Sequence, residues 1–252
     1  MRKEIVFTEK MAKEAVKKSG NVVIPEGVTE IKSFAFKGLS DLRSVVIPNT
    51  VTHIRFWAFC DCQNLENVNI SNRVTCLLSR TFYGCVSLKD ISIPSSVKSI
   101  GNEVFGNCSN LTNVSGLENV AYIGMSAFGA CSRLEEISLP NGLITIQSHA
   151  FEGCKNLSNV NLPNSVRVIG KNAFAHCISL KSVSLPGKIG IINEETFYNC
   201  NSLESVSIPN SVIRIGDSAF EGCNKLDKVV IPNSGVFIGK KAFPSNAEVS
   251  WS

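Results

Sequence analysis

The chain has 252 residues, of which 44% are hydrophobic and 18% are charged, and its formal net charge is +4. The apolar share is enough for a continuous core, but no run is long enough to span a bilayer, so we expect no membrane span. Residues 1–20 carry six Lys or Arg and three Glu, a net of +3, and the rest of the chain carries only +1. No basic stripe is present, so we expect no nucleic-acid partner.

Residues 1–20 predict a short amphipathic helix that caps the rest of the chain. Thr8 is the expected N-cap, Phe7 is expected to pack on the first turn, and Gly20 is expected to close the end. The apolar side of the helix would face the first repeat through Met11, Ala12 and Val16. The stretch is too polar and too broken for a signal peptide, which indicates an intracellular protein, a removed signal or unconventional export.

From residue 21 onward, a phenylalanine recurs every 23 residues without insertion or deletion. The column consists of Phe36, Phe59, Phe82, Phe105, Phe128, Phe151, Phe174, Phe197, Phe220 and Phe243. A fixed period of this length is typical of a solenoid, in which each coil buries its apolar side only against its neighbours. We therefore assign ten repeats to one solenoid domain over residues 21–249, with 250–252 as the C-terminal end.

Each coil predicts two extended segments and a tight turn. The stretch 180–186 alternates apolar and polar residues, as a half-buried strand does, and strands stacked once per coil must be parallel. The stretch 211–216 predicts a second short extended segment. The stretch 217–223 predicts a turn of 3₁₀ or α-helix, because Phe220 and Cys223 are three residues apart and would share a face.

A cysteine follows the phenylalanine by three residues in eight coils. These are Cys62, Cys85, Cys108, Cys131, Cys154, Cys177, Cys200 and Cys223. We interpret them as buried reduced thiols, since one per coil beside a phenylalanine suits a small apolar side chain. Cys60 and Cys76 lie outside the column and are expected to be more accessible. Cys60-x-Cys62 is a poor metal motif, because no ligand pair follows at a suitable spacing, and we predict no metal or cofactor.

The repeat unit resembles a known family. Leu88-x-x-Ile91-x-Ile93 matches the leucine-rich repeat core, and the following Pro94 and the Phe-x-x-Cys-x-x-Leu finish resemble the BspA-like subclass, over about nine tenths of the chain. The resemblance implies a right-handed coil with a parallel β-sheet on the concave face, and short extended and 3₁₀ or helical turns elsewhere. It also implies adhesion at a cell surface or in secreted form, whereas the reduced-looking cysteines and the missing signal indicate the cytoplasm.

No catalytic constellation is recognisable, so we expect no enzyme. His53, His149 and His176 occupy different repeat positions, and no carboxylate is expected to join His149 and His176 on their adjacent coils. The glycines recur as coil corners, and none forms a phosphate-binding loop.

Two surfaces are candidate binding sites. The first, which we call the strand face, is the outward strand column that lines the concave side in leucine-rich repeats: Asn69, Ser92, Ser115, Ser138, Asn161, Ser184 and Ser207. The second is an aromatic cluster near the N-terminal turns, consisting of Phe34, Phe56, Trp57, Arg80 and Tyr83. Such residues anchor interfaces, but they would equally shelter the cap helix and the first coil.

A weaker apolar patch occupies the second extended segment at Ile144, Val168, Ile191, Ile213 and Phe237, where it is either exposed or partly buried. The predicted function is a non-catalytic recognition or adhesion scaffold that binds protein or glycan. The alternative is an intracellular self-associating assembly scaffold, with weak homo-association through the apolar turn residues. A distant alternative is an enzyme with an unrecognised site.

Overall fold

The computed structural model describes residues 5–252, which form a solenoid of parallel strands with one helix, Glu9–Lys18. The first strand series comprises Asn21–Val23, Ser44–Val46, Asn67–Asn69, Asp90–Ser92, Asn113–Ser115, Glu136–Ile137, Asn159–Val160, Ser182–Ser184, Ser205–Ser207, Lys228–Ile231 and Glu248–Trp251. The second series comprises Val6–Phe7, Glu30–Ile31, His53–Ile54, Cys76–Leu77, Ser99–Ile100, Tyr122–Ile123, Thr145–Ile146, Val168–Ile169, Ile191–Ile192, Arg214–Ile215 and Phe237–Ile238.

The strands pair in parallel, and all pairs except the two at the ends have the 23-residue offset that the repeat predicts. At the ends, Val6 pairs with Glu30 and Lys228 pairs with Glu248. Ser182 pairs with Ser205 in the first series, and Ile191 pairs with Arg214 in the second. The predicted parallel solenoid is thus confirmed. Its ladders are interrupted, however, and the second series divides into groups of three, five and three strands, with breaks after His53–Ile54 and after Val168–Ile169.

The N-terminal helix covers the first coil. The Thr8 side chain accepts a hydrogen bond from the Met11 N–H at 3.4 Å, as expected of the N-cap. Ala12 and Val16 are buried, and Met11 is partly buried against the core. The helix ends at Lys18 with extended Ser19 as its C-cap, so the predicted closing residue Gly20 stands directly after the cap. Residues 1–4 of the predicted cap lie outside the described residues.

Phe7, which the sequence predicts to pack on the first helical turn, is buried in the core against the first coil. It belongs to the strand Val6–Phe7, and its ring stacks on Phe36 with centroids 5.5 Å apart. The strand pairing of Phe7 with Ile31 sets this position. The cap therefore continues the phenylalanine column by one ring.

The phenylalanine column forms the centre of the core. Neighbouring rings from Phe36 to Phe243 lie 4.7–5.7 Å apart between centroids, with interplanar angles of 2–18°. The rings from Phe36 to Phe220 are fully buried, and Phe243 is partly buried at the C-terminal end. Near-parallel stacking at this spacing lets one ring per coil fill the interior without a gap.

The cysteines are all unpaired thiols, and those of the column are buried. Burial raises the pKa of Cys108 and of Cys154 to about 12, which keeps both thiols protonated. The expectation that Cys60 is accessible is wrong, because its side chain is fully buried, while Cys76 is half-buried. Burial, and then the bond from its thiol to the Asp61 carboxylate, raise the pKa of Cys60 to about 12.

The turn segment around each phenylalanine is neither 3₁₀ nor α-helix. Bonds from residue i+3 back to residue i are present, as from the Leu39 N–H to the Phe36 carbonyl at 3.1 Å. They are interrupted by residues with positive φ two positions before and after each phenylalanine in most coils. Alternate N–H groups then point along the solenoid, and the Phe36 N–H donates to the Ala58 carbonyl of the next coil at 2.7 Å. The turns thus form a third inter-coil ladder.

Candidate recognition surface

The backbone of the turn segment places an aromatic and cationic cluster on the surface. Phe34, Trp57 and Arg80 stand two residues before successive phenylalanines, with φ of 64°, 62° and 58°. Left-handed backbone is costly for non-glycine residues, and the inter-coil bonds of the turn ladder offset the cost. The Trp57 N–H, for example, donates to the Ser79 carbonyl at 3.2 Å. The three side chains consequently project from equivalent positions of adjacent coils.

The side chains of the cluster alternate between rings and cations. The Phe34 and Trp57 rings meet with centroids 5.9 Å apart. The Arg80 Cζ lies 4.4 Å from the Trp57 centroid and 5.4 Å from that of Tyr83. The Lys37 Nζ lies 5.0 Å from the Trp57 centroid and 5.6 Å from that of Phe34. These distances are in the range of cation–π attraction.

Polar side chains from the next coil hold this cluster in place. Arg80 Nη2 donates to Glu103 Oε1 at 2.7 Å, and this hydrogen bond raises the pKa of the already basic guanidinium further. Asn107 Nδ2 donates to Tyr83 Oη at 2.6 Å. Both contacts fix long side chains before any partner arrives, so less conformational entropy is lost on binding.

The structure thus brings together four of the five predicted residues, namely Phe34, Trp57, Arg80 and Tyr83, which with Lys37 we call the aromatic cluster. The fifth, Phe56, is 47% exposed and does not belong to the ring stack. Phe34 is 45% exposed, and the Arg80 side chain is 34% exposed. The cluster is therefore open to solvent on one side.

A groove of about 390 Å³ continues the aromatic cluster along the turn segments. Its floor is low because Gly106 and Gly129 follow their phenylalanines directly, where Tyr83 stands in the preceding coil. A Cβ on Gly106 would come within 3.0 Å of the Tyr83 ring. The rest of the lining includes six residues with polar side chains, namely Glu103, Asn107, Ser126, Glu152, Lys155 and His176.

The contacts of His149 and His176 correct one expectation. His149 Nδ1 lies 2.7 Å from Glu152 Oε2, so a carboxylate does join this histidine, within its own turn. His176 meets Tyr198 edge to face with centroids 5.5 Å apart. Both imidazoles thus have partners of their own.

The strand face is exposed along its whole predicted length. All seven of its residues are open to solvent, and Ser92 pairs with Ser115 and Ser184 with Ser207 in the strand register. Short Ser and Asn side chains make this face flat. The apolar patch of the second series is also exposed, from 39% at Ile144 to 65% at Ile213. Of the two alternatives that the sequence left open, an exposed patch and a partly buried one, the structure thus supports the exposed patch.

Residues 5–252 contain neither a metal cluster nor a membrane-spanning helix. In that range no three His, Cys, Asp or Glu side chains form a group able to hold a metal ion. No helix of the same range combines the length and the apolar character needed to cross a membrane.

The sequence analysis missed the residues that complete the surface, namely Lys37, Glu103, Asn107 and the groove lining. Two of these residues could have been identified from their sequence offsets to residues of the neighbouring coil. Glu103 follows Arg80 by one repeat, and Asn107 follows Tyr83 by one repeat plus one residue. Comparing residues across coils, rather than along the chain, would have found both.

Three solved structures are similar to this chain, and the two with TM-scores above 0.5 share its fold. A leucine-rich repeat protein from Bacteroides ovatus is 26% identical, with a TM-score of 0.54, and the match covers 92% of this chain and 82% of that one. The pneumococcal vaccine antigen PcpA is 20% identical, with a TM-score of 0.61, covering 91% and 71% of the two chains. A leucine rich cell surface protein from Faecalibacterium prausnitzii is 24% identical, with a TM-score of 0.42, covering 90% and 88%.

None of the curated proteins matches the chain. The family model described as "BspA type Leucine rich repeat region (6 copies)" matches residues 14–135 and 121–250, and so nearly the whole chain. With the resemblance of the repeat unit and the parallel solenoid, this match shows that the chain belongs to the BspA-type leucine-rich repeat family.

Proposed function

We propose that the protein is a non-catalytic recognition module that binds a protein partner through the aromatic cluster. The observation that carries the proposal is the fixed stack of Arg80 between Trp57 and Tyr83, held by Glu103 and left partly exposed. Trp, Tyr and Arg are the residue types that dominate binding energy at protein interfaces. Sheltering the core does not require them, because Phe174 and Phe197 are equally buried in coils that carry Asn172 and Glu195 at the same turn position.

The cluster also indicates what the partner offers. Lys37 is an exposed cation that lies over both the Phe34 and Trp57 rings. Arg80 is already neutralised by Glu103, so Lys37 is the cation available to a ligand. We expect the partner to present an acidic side chain beside an apolar one, with the acid meeting Lys37 and the apolar group meeting Trp57.

A glycan is the second candidate ligand, and the groove favours it. Tyr83 offers an aromatic ring, while Asn107, Glu152 and His176 offer hydrogen-bonding groups in the same lining. Sugar hydroxyls are recognised by such polar groups around a ring. The strand face offers hydroxyl and amide groups but no aromatic anchor, so it ranks below the groove.

The test compares variants in two assays, protein capture from a proteome and binding to a glycan array. Trp57→Ala removes the centre of the cluster, and Asn172→Ala is its matched control, because Asn172 occupies the same turn position with φ of 56°. We expect Trp57→Ala to lose the captured protein while Asn172→Ala retains it. Ser138→Arg reports separately on the strand face.

The outcomes separate the candidate surfaces. Loss of glycan binding in Gly129→Gln, with protein capture intact, would assign the groove to a glycan. Loss of capture only in Ser138→Arg would move the site to the strand face and reject the aromatic cluster. Equal capture by all variants would reject both surfaces.

A further inference from the structure

The second strand series carries an exposed apolar stripe in its C-terminal half only. Numbering each coil by its phenylalanine, the stripe covers coils 5 to 10 at the positions six and seven residues before that ring. Its exposed apolar members are Tyr122, Ile144, Val168, Ile191, Ile213 and Phe237. The largest exposures are those of Ile213, at 65%, and Phe237, at 60%.

Strand formation does not explain the stripe. Coils 1 to 4 form the same two-residue strands with Glu30, His53, Cys76 and Ser99 at the position six before phenylalanine. Polar residues therefore suffice for this backbone, although aromatic and β-branched residues favour strands in general. A contiguous exposed apolar surface of this kind indicates an interaction site.

The order of residues in the stripe is self-complementary. A twofold axis parallel to the strands would place coil 5 against coil 10, coil 6 against coil 9 and coil 7 against coil 8 of a second copy. At the position six before phenylalanine, the facing pairs are then Tyr122 with Phe237, Thr145 with Arg214, and Val168 with Ile191. Aromatic residues meet each other at the two ends, and β-branched residues meet at the centre.

The neighbouring column obeys the same symmetry. At the position seven before phenylalanine, Ile144 faces Ile213, and Arg167 faces Gly190. No two arginines face each other, and each lies opposite an uncharged residue. A twofold axis along the solenoid would instead place each coil against itself, with Arg214 against Ile213 and Arg167 against Val168, which buries charge on apolar groups.

From this pattern we infer that the stripe is the interface of a symmetric homodimer, in which two solenoids pack antiparallel through their second strand series. A twofold interface uses the same patch on both copies, so its sequence must be compatible with its own reversal, as this stripe is. Arg214, whose Cζ lies 5.4 Å from the Phe237 centroid, covers that ring at one end. In the dimer its guanidinium lies beside Thr145 of the second copy.

Sedimentation equilibrium of the full chain tests the dimer. The wild type should associate reversibly as the concentration rises toward about 1 mM, where even a millimolar dimer is half formed. Ile213→Glu should raise the dissociation constant about tenfold or more, because it places a charge against Ile144 in both symmetry-related contacts of the dimer. Thr75→Glu, at the same repeat position in coil 3, is the matched control and should leave it unchanged. A chain that stays monomeric throughout contradicts the inference, as does equal weakening by the control.

A charge exchange tests the antiparallel register. Its readout is a recovery of association, which misfolding of a variant cannot produce. Thr145→Arg should weaken the dimer, since it opposes Arg214 of the second copy with a like charge. Adding Arg214→Glu to Thr145→Arg should restore association to at least the wild-type level, because the facing charges are then opposite. Failure of the double variant to recover association would overturn the proposed interface.

Discussion

The thiol of Cys154 donates a hydrogen bond to the backbone carbonyl of Phe128 in the preceding coil, with Sγ and O 3.2 Å apart. The other seven cysteines of the column make the same bond at 2.9–3.3 Å. The Phe128 carbonyl already accepts the Cys131 N–H of its own coil at 3.2 Å. The cysteine is therefore a donor between coils as well as a small apolar side chain.

Replacing Cys154 by Ala should lower the free energy of unfolding by about 1–2 kcal/mol, through the lost hydrogen bond and the small cavity. Cys76→Ala is the control, because Cys76 is half-buried and outside the column, and it should change stability by less than about 0.5 kcal/mol. Urea denaturation measures both. Equal losses would show that the inter-coil bond contributes nothing.

The buried thiols predict a loss of stability in alkali. Burial raises the pKa of Cys108 from its ordinary value of 9.0 to about 12. The thiol is held neutral in the folded chain, so its contribution is complete below pH 9 and is lost as the pH rises from about 9 to 12. Each such thiol should lower the free energy of unfolding by about 1.4 kcal/mol per pH unit in that window at 25 °C.

The variant Cys108→Ala isolates one thiol of this set. Its stability should fall less steeply than that of the wild type between about pH 9.5 and 10.5, by the slope of one proton. Identical slopes would contradict the assignment of Cys108 as a group that ionises only on unfolding.

Thiol labelling distinguishes the two cysteines outside the column. At neutral pH, an alkylating reagent should modify Cys76 in the native protein and Cys60 only after denaturation, because Cys60 is fully buried and its pKa is raised. Peptide mapping of the labelled sites gives the answer. Rapid native labelling of Cys60 would mean that the turn beneath the aromatic cluster opens.

A central ring of the phenylalanine column should be costly to remove. Phe151→Ala should destabilise the fold by about 3–5 kcal/mol through the cavity it leaves. Phe237→Ala removes an equally large ring that is 60% exposed, and should cost the monomer less than about 1 kcal/mol. A thermal denaturation series at low protein concentration compares them, and similar melting temperatures would refute the stacked-ring core.

Much of this fold is visible in the sequence, because each coil repeats the same apolar columns. The register of Ser182 with Ser205 follows from the period alone. The turn conformation does not, because positive φ at Trp57 or Asn172 depends on bonds to the next coil rather than on the residue itself. The stack of Phe7 on Phe36 was not predicted for a similar reason, since the two residues belong to different coils.

The candidate site, like the fold, could be predicted from the sequence only in part. Trp57 and Arg80 could be predicted because they depart from the repeat pattern. Glu103 could not, because nothing distinguishes it from other surface acids except its position one coil from Arg80. The groove is still harder to predict from the sequence, because it is formed where Gly106 and Gly129 have no side chains. Burial of Cys60 depends on its neighbours across the turn ladder, which residue type does not reveal.

The measurement that tests the central claim most directly is the affinity of the captured partner for Trp57→Ala, Asn172→Ala and Ser138→Arg by calorimetry. Removal of an anchor residue at the centre of an interface should weaken binding by about 2 kcal/mol or more, roughly thirtyfold, in Trp57→Ala alone. An unchanged affinity for Trp57→Ala, with Ser138→Arg weakened instead, would contradict recognition through the aromatic cluster.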